Sequence, residues 1–555
     1  LGNTTSLTYD GAGHALTITD SLGQIARNEY DVSGNRTRLI EVSGNALTFS
    51  YDANGNLLSQ ADATSAAWGF NYDPKNRPTQ AGLSGAQKRV SYDAAGQMTT
   101  ITDPAGQETR VVYDALGLRA QVLRADGIAA LTRTYDAEGN VLTETDAAGN
   151  TTSYTYNAAN RRIATTFPDS STEQISYDAT GQPTQVTDAL GHITRFEHDA
   201  AGRQIRIINP LGGVTEKTYS PSGHLLSERG PLRPLTRYAY DAGGNLVATT
   251  YADGSIEQRS YDASGRLTQT RDPAGNTTTF EYDAMGRMTA VTDALGRTAR
   301  YEYSATGQRT AFIDANGNRT VFTNDAHGRV VQTQYPLGDT TSKTYDALGR
   351  TLTATKGNGE TVQYTYDVLG QPNRLTLPGG SQETYTYTAD GQIDTVTDAR
   401  GVTRYTYDTA TRRLARVTEP DGRYIRYEYD AVGNRTLIAH ALSTSATEEV
   451  TRYAYDAARQ LITVTDPSGG LIHYTYDAAG NQTVVSRPNG VTTTMTYDNR
   501  NRLTAEEHGN SSSTTLARFT YTLDVMGNRT VVQNADNSRV EYDYDATYRV
   551  TTERH

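Results

Sequence analysis

Tyr282-Asp283-Ala284-Met285-Gly286-Arg287, followed by Thr292-Asp293-Ala294-Leu295-Gly296-Arg297, is one unit of a pattern that fills this chain of 555 residues. The same unit is plain at Tyr30-Asp31-Val32-Ser33-Gly34 and at Tyr429-Asp430-Ala431-Val432-Gly433. From Tyr9 to Tyr544 there are 26 positions in phase; 24 are Tyr and the others are His198 and Asn324. A period of ~21 residues marks an array of one supersecondary unit, each copy unable to bury its apolar face without its neighbours.

Each period holds two turns. Arg297-Thr298-Ala299-Arg300-Tyr301-Glu302-Tyr303 leads into Ser304-Ala305-Thr306-Gly307, and Gln308-Arg309-Thr310-Ala311-Phe312-Ile313 into Asp314-Ala315-Asn316-Gly317. The runs are rich in Thr, Tyr and branched side chains, and Tyr301 and Tyr303 stand two apart, on one face of a strand. Asp or Ser opens each turn, where it can accept from the backbone two residues on, and the fourth place is Gly, which enters the left-handed region without a Cβ clash. That place is Gly in 19 copies and Asn at Asn76, Asn160 and Asn501. Thr411, Arg459 and Tyr548 break the rule and predict local strain or a different turn, while Tyr521 has its turn two residues late, at Asp524-Val525-Met526-Gly527. The chain therefore reads as all-β, hairpin after antiparallel hairpin, in a single array over residues 1–555. Residues 1–436 read as regular, and residues 437–555 as repeats with lengthened loops.

About 52 strands at ~4.8 Å each would make a ribbon about 250 Å wide, whereas open twisted sheets rarely pass ~10 strands without curling or splitting. A twist of constant hand predicts a spiral whose later copies return over earlier ones. Composition predicts that the interior stays open: Gly plus the apolar residues other than Tyr reach about 38%, against ~45–50% in ordinary globular chains. Tyr outnumbers Phe by 38 to 8, which suits half-buried faces held by cross-strand Tyr pairs.

Function classes narrow by exclusion. The net charge is −12 and evenly spread, with no basic stripe for nucleic acid. No apolar run approaches the ~18 residues of a membrane span. With no Cys, thiol chemistry is excluded. The nine His are scattered, and His198 simply fills a Tyr slot. Asp52-Ala53-Asn54-Gly55-Asn56 and Asp314-Ala315-Asn316-Gly317-Asn318 fail as calcium loops because Gly falls fourth and no Glu follows at the twelfth place. No catalytic, metal or cofactor site is expected. The two lengthened loops, His440 to Glu449 and His508 to Thr514, read as neutral growth. Leu1 in place of Met, and an array without atypical end units, read as a fragment of a longer protein.

The Tyr-Asp-x-x-Gly-[Asn/Arg] unit with its second Thr-Asp-x-x-Gly turn resembles the YD repeat of bacterial Rhs proteins, related to those of teneurins and of the BC subunits of Tc toxins. The resemblance covers essentially the whole chain. It implies a hollow cocoon around a C-terminal toxin of the same parent chain, secreted or displayed at a bacterial cell surface. Asp466-Pro467-Ser468-Gly469-Gly470-Leu471 is the nearest string to the Asp-Pro-x-Gly-Leu motif that closes such shells; it is one residue out of register and followed by further copies, so it reads as an ordinary turn. A surface adhesin stacking exposed Tyr on cell-surface glycans is the alternative. The residues singled out are therefore those of the turn motif: Tyr30, Asp31, Gly34, Tyr282, Asp283, Gly286, Tyr429, Asp430 and Gly433.

Overall fold

Alternation of six-residue and five-residue strands, such as Thr298–Tyr303 and Arg309–Ile313, carries the periodicity directly into structure. The computed structural model describes all residues except 1–4, 21, 22, 24, 43, 63–66, 232 and 513, so Leu1 and the Ser513 part of the second long loop lie outside the described residues. One sheet of 52 strands runs from Ser6–Tyr9 to Val550–Arg554. Every strand pairs, antiparallel, with its neighbours in sequence, so the sheet is an uninterrupted meander.

Register follows from the turn. Gly307 N–H donates to Ser304 O at 3.0 Å and Ser304 N–H to Gln308 O at 2.8 Å, which is a tight turn closed by a bulge at a glycine of positive φ. Glu302 then faces Ala311, Tyr301 faces Phe312 and Arg300 faces Ile313, the register slipping only between Glu302 and Tyr303. Aromatic residues two before the Tyr slot face branched residues in many copies: Phe280 opposes Val291, Tyr364 opposes Leu375 and Tyr427 opposes Ile438. The opposite face carries charge over small residues, as where Glu281 and Arg300 flank Ala290 and leave it 1% exposed. The expected cross-strand Tyr pairs do not form; among the described residues no Tyr ring packs on another Tyr ring, because the slot tyrosine lies opposite the residue two past the turn glycine, as Tyr303 lies opposite Arg309.

Because strands alternate in direction, the Tyr-Asp turns form one rim of the ribbon and the second turns form the other. The ribbon coils until these rims meet. The guanidinium of Arg124, in a second turn, donates to Ala389 O, in a Tyr-Asp turn about 25 strands further along. The same offset recurs where Asp188 meets Arg459, and a slightly shorter one, about 23 strands, where Asp253 meets Arg500. About 25 strands per coil at ~4.8 Å gives a circumference of about 120 Å and a backbone diameter near ~40 Å, with the whole sheet completing about two coils. The accessible surface, 30406 Å², compares with about 19,000 Å² for a compact protein of this mass, as a thin wall around an open interior requires.

The deepest packing lies beside the first lengthened hairpin, where Leu437 (1%), Ala439 (0%) and Ala441 (4%) are buried. There the strands themselves lengthen, to Arg435–Ala441 and Glu449–Tyr455. The loop between them is anchored rather than idle: Glu448 accepts from Tyr424 Oη at 2.9 Å and from Arg426 Nε at 3.0 Å and Nη2 at 2.7 Å.

Candidate functional site: the Tyr-Asp rim and the seam

The turn motif is built from its aspartate outward. Asp31 Oδ1 accepts from Ser33 N–H and Asn35 N–H, both at 2.9 Å, and Gly34 sits at φ 84°. Asp283 Oδ1 accepts from Met285 N–H at 2.9 Å and Arg287 N–H at 3.0 Å, with Gly286 at φ 76°. Asp430 accepts from Asn434 N–H at 2.8 Å, with Gly433 at φ 98°. The side-chain and backbone donations of Asn35 hold the Asp31 carboxyl below the usual carboxylate range. Burial pushes the Asp283 carboxyl up, but the backbone and side-chain donations of Arg287 outweigh it and leave it lowered.

The tyrosine reaches backward into the preceding hairpin. Tyr282 Oη donates to Leu267 O at 2.8 Å and Tyr30 Oη to Ala15 O at 3.0 Å. Asn324 fills the same role with an amide, donating from Nδ2 to Arg309 O at 3.1 Å, which explains its tolerance in the slot. The residue after the left-handed place, to which the sequence assigns no role, covers the next tyrosine ring in many of the copies where it is Arg or His. Arg266 lies 5.1 Å over Tyr282, and Arg413 lies 5.9 Å over Tyr429. Each of these arginines also donates to the following turn, Arg266 to Asp283 O at 3.2 Å and Arg413 to Asp430 O at 2.7 Å. His14 and His224 stack instead on Tyr30 and Tyr240, at 4.8 and 4.7 Å. A chain of charge-assisted bonds and ring contacts thus runs along the rim from copy to copy.

Two copies turn differently from the rest, as their sequences predict. At Thr411 the turn gains a residue, Asp408 N–H donating to Arg413 O at 2.8 Å, so that Arg412 and not Thr411 takes the left-handed place, at φ 58°. In the late copy the register slip places Leu523, opposite Arg529, in the slot, and Tyr521 moves to the inner aromatic position opposite Val532.

The seam is the second cluster of functional geometry. Asp253 Oδ2 lies 3.1 Å from Arg500 Nη1 and 3.7 Å from Arg502 Nη2, with the Arg500 guanidinium 4.4 Å over the Tyr251 ring. Asn499 Nδ2 donates to Ala252 O at 3.2 Å. Tyr548 Oη donates to Asp272 Oδ2 and accepts from Asn276 Nδ2 at 2.9 Å, and Arg297 Nη2 donates to Thr547 Oγ1 at 3.1 Å. Burial first, then the Asp272 carboxylate, push the Tyr548 hydroxyl up to about 12. Clefts of about 300 and 550 Å³ flank Arg459 and Asp188 along this line. Among the described residues no group of three or more His, Asp and Glu could hold a metal, and no helix is long and apolar enough to cross a membrane. The carboxylates of Asp52 and Asp314 are occupied by their own turns, each accepting from two backbone N–H groups and an Asn amide.

The family model described as Teneurin YD-shell matches residues 4–118, 84–277 and 382–468, well over half of the chain. The model described as RHS Repeat matches residues 261–298, 289–319, 303–340, 345–382, 460–492 and 476–514. Among solved structures, the chain is similar to the crystal structure of TcdB2-TccC3-Cdc42 at 16% identity and a TM-score of 0.64, over 97% of this chain and 40% of that one. TcdB2-TccC3-TEV gives 18% identity and a TM-score of 0.64 over 99% and 38%. A Photorhabdus luminescens Tc holotoxin pore with a TccC3 mutation gives 17% and 0.61 over 97% and 39%. The chain spans about 40% of the length of these solved chains. A search of curated proteins gives no match.

Proposed function

As the chain belongs to the teneurin YD-shell family, we propose that it is wall: a coiled stretch of shell that encloses a polypeptide, a C-terminal toxin of its own parent protein, until delivery. The observation that carries this reading is the coil itself. A ribbon of about 25 strands per turn, sealed rim to rim, surrounds a lumen wide enough for unfolded or small folded chain. RHS repeats in the same chain, and the likeness in fold to shells solved with TccC3, support the same reading. It implies export from a bacterium, by secretion or at the cell surface. The role is structural, and chemistry belongs to the cargo.

Glycan binding gains nothing from the geometry. Rim tyrosines such as Tyr282 and Tyr303 have one ring face under an arginine and their hydroxyls already bonded, so neither is presented to a sugar.

The test is to express the parent protein with and without residues 1–555 and compare protease resistance and toxicity of the domain that follows. Enclosure predicts slow cleavage and restrained toxicity only when the array is present. Equal cleavage and equal toxicity in both forms overturn it.

A further inference from the structure

Turns in this array select Gly, or Asn, at the left-handed place, and the few departures are not scattered. Among the described residues, those other than Gly and Asn with positive φ are Ser170 (68°), Arg412 (58°), Arg459 (64°) and Tyr548 (66°). Each stands in a turn that faces the seam. Ser170 and the Arg412 turn line opposite walls of one cleft, and the Arg412 guanidinium is held by Asp390 of the preceding Tyr-Asp turn, with Nε donating at 2.7 Å. Arg459 Nη2 lies 3.5 Å from Asp188 Oδ2, 271 positions earlier in the chain, and Tyr548 reaches Asp272 and Asn276.

A long side chain in the left-handed region carries backbone strain that glycine lacks, and such strain persists where surrounding contacts over-determine it. The geometry also explains why this place is used. Arg459 and Tyr548 stand at the tips of Tyr-Asp turns, on the rim that meets the neighbouring coil, whereas a strand side chain points to one face or the other. A residue at the tip is placed to bridge the two coils, as Arg124 and Arg297 do from the opposite rim. Arg500, which meets Asp253, sits in the same kind of turn one place before its left-handed residue, Asn501.

We propose that Arg459 and Tyr548 are latches: side chains that replace the turn glycine in order to fasten the second coil to the first. The surface they read is the rim of second turns, with its carboxylates Asp188 and Asp272. This holds whether or not the shell carries cargo. Neighbouring strands remain bonded when the latches are removed, so the seam opens beside Asp188 and Asp272 while hairpins stay folded.

Glycine substitution separates the two roles, since it relieves the turn and deletes the latch together. Spin labels on Leu190→Cys and Ala457→Cys, unique in a cysteine-free chain, report the separation of the facing turns by double electron–electron resonance. The expected result for Arg459→Gly with Tyr548→Gly is a distance distribution moved outward by about 10 Å or more, with β-sheet circular dichroism and melting temperature unchanged or raised. An unmoved distribution overturns the proposal. If the double variant loses its sheet signal, the charge exchange decides: Asp188→Arg alone should part the coils, and Asp188→Arg with Arg459→Asp should close them again, while failure to close overturns the pairing.

Discussion

Arg287 lies 4.8 Å over the ring of Tyr303, in the next copy, while its Nε donates at 2.7 Å to Asp283 of its own turn. One side chain therefore joins two hairpins that are already joined by backbone. The Asp-Arg pair alone is about a quarter exposed and contributes modestly. Its value lies in pointing the guanidinium at the neighbouring ring and at Ser304 O, 3.0 Å away.

Substitution of Arg287 should be graded by what still bridges. Arg287→His can stack as His14 does, and Arg287→Gln can donate along the rim as Gln371 Nε2 does to Gly391 O at 2.9 Å. Arg287→Ala loses both contacts and should cost about 1 kcal/mol more than either. Hydrogen exchange of the strands Met288–Thr292 and Thr298–Tyr303 reads the ranking; equal protection in all three variants would contradict it.

Gly286→Val should destabilise its hairpin by about 1–3 kcal/mol more than Ala284→Ser, because a branched residue fits φ 76° poorly. Space is not the obstacle, since a Cβ there would meet nothing closer than the Arg266 side chain at 3.8 Å. Loss of protection should stay within adjoining repeats. Identical exchange in the two variants would refute the turn mechanism.

The seam near Tyr548 should respond to alkali. Its hydroxyl titrates at about 12, above its ordinary value near 10, so its contribution is complete below about pH 10 and is lost as pH rises to about 12. Comparing the pH dependence of stability in Tyr548→Phe and the parent chain isolates this step. The variant should lack the loss between about pH 10 and 12 that the parent shows.

Glu448 makes the mirror-image prediction. Donation from Arg426, followed by that from Tyr424, lowers its carboxyl to about 2 even against burial. The stabilisation is present above the ordinary value of 4.5 and fades as pH falls towards 2. After screening it is worth about 1 kcal/mol, so Glu448→Gln should loosen the lengthened hairpin at neutral pH and flatten its acid response. Proteolysis within residues 442–448 is the readout.

Local chemistry was legible in the sequence because each turn is decided within five residues. Asp283, Gly286 and their counterparts announce themselves by residue type alone. Arg287 and its equivalents were visible as a repeated letter but not as a bridge, since the ring they cover lies 16 residues on, across a strand pair. The meeting of Asp188 with Arg459 was not legible at all. It depends on a small rotation between strands accumulated about 25 times, and an error of one degree per strand would displace the contact by about a strand and a half. The breaks in the glycine rule at Arg459 and Tyr548 did mark strain, and only the coil explains why strain is kept there.

A meander in which each strand bonds only to its predecessor and successor also has a mechanical anisotropy. Tension applied at a chain end loads one hairpin at a time, so the sheet peels, each strand releasing before the next is stressed. Pressure from within is shared by every strand pair around the hoop and by every contact along the seam. Such a wall resists bursting far better than unravelling, and a motor or pore that grips one terminus could dismantle it stepwise with a force that its contents could never exert.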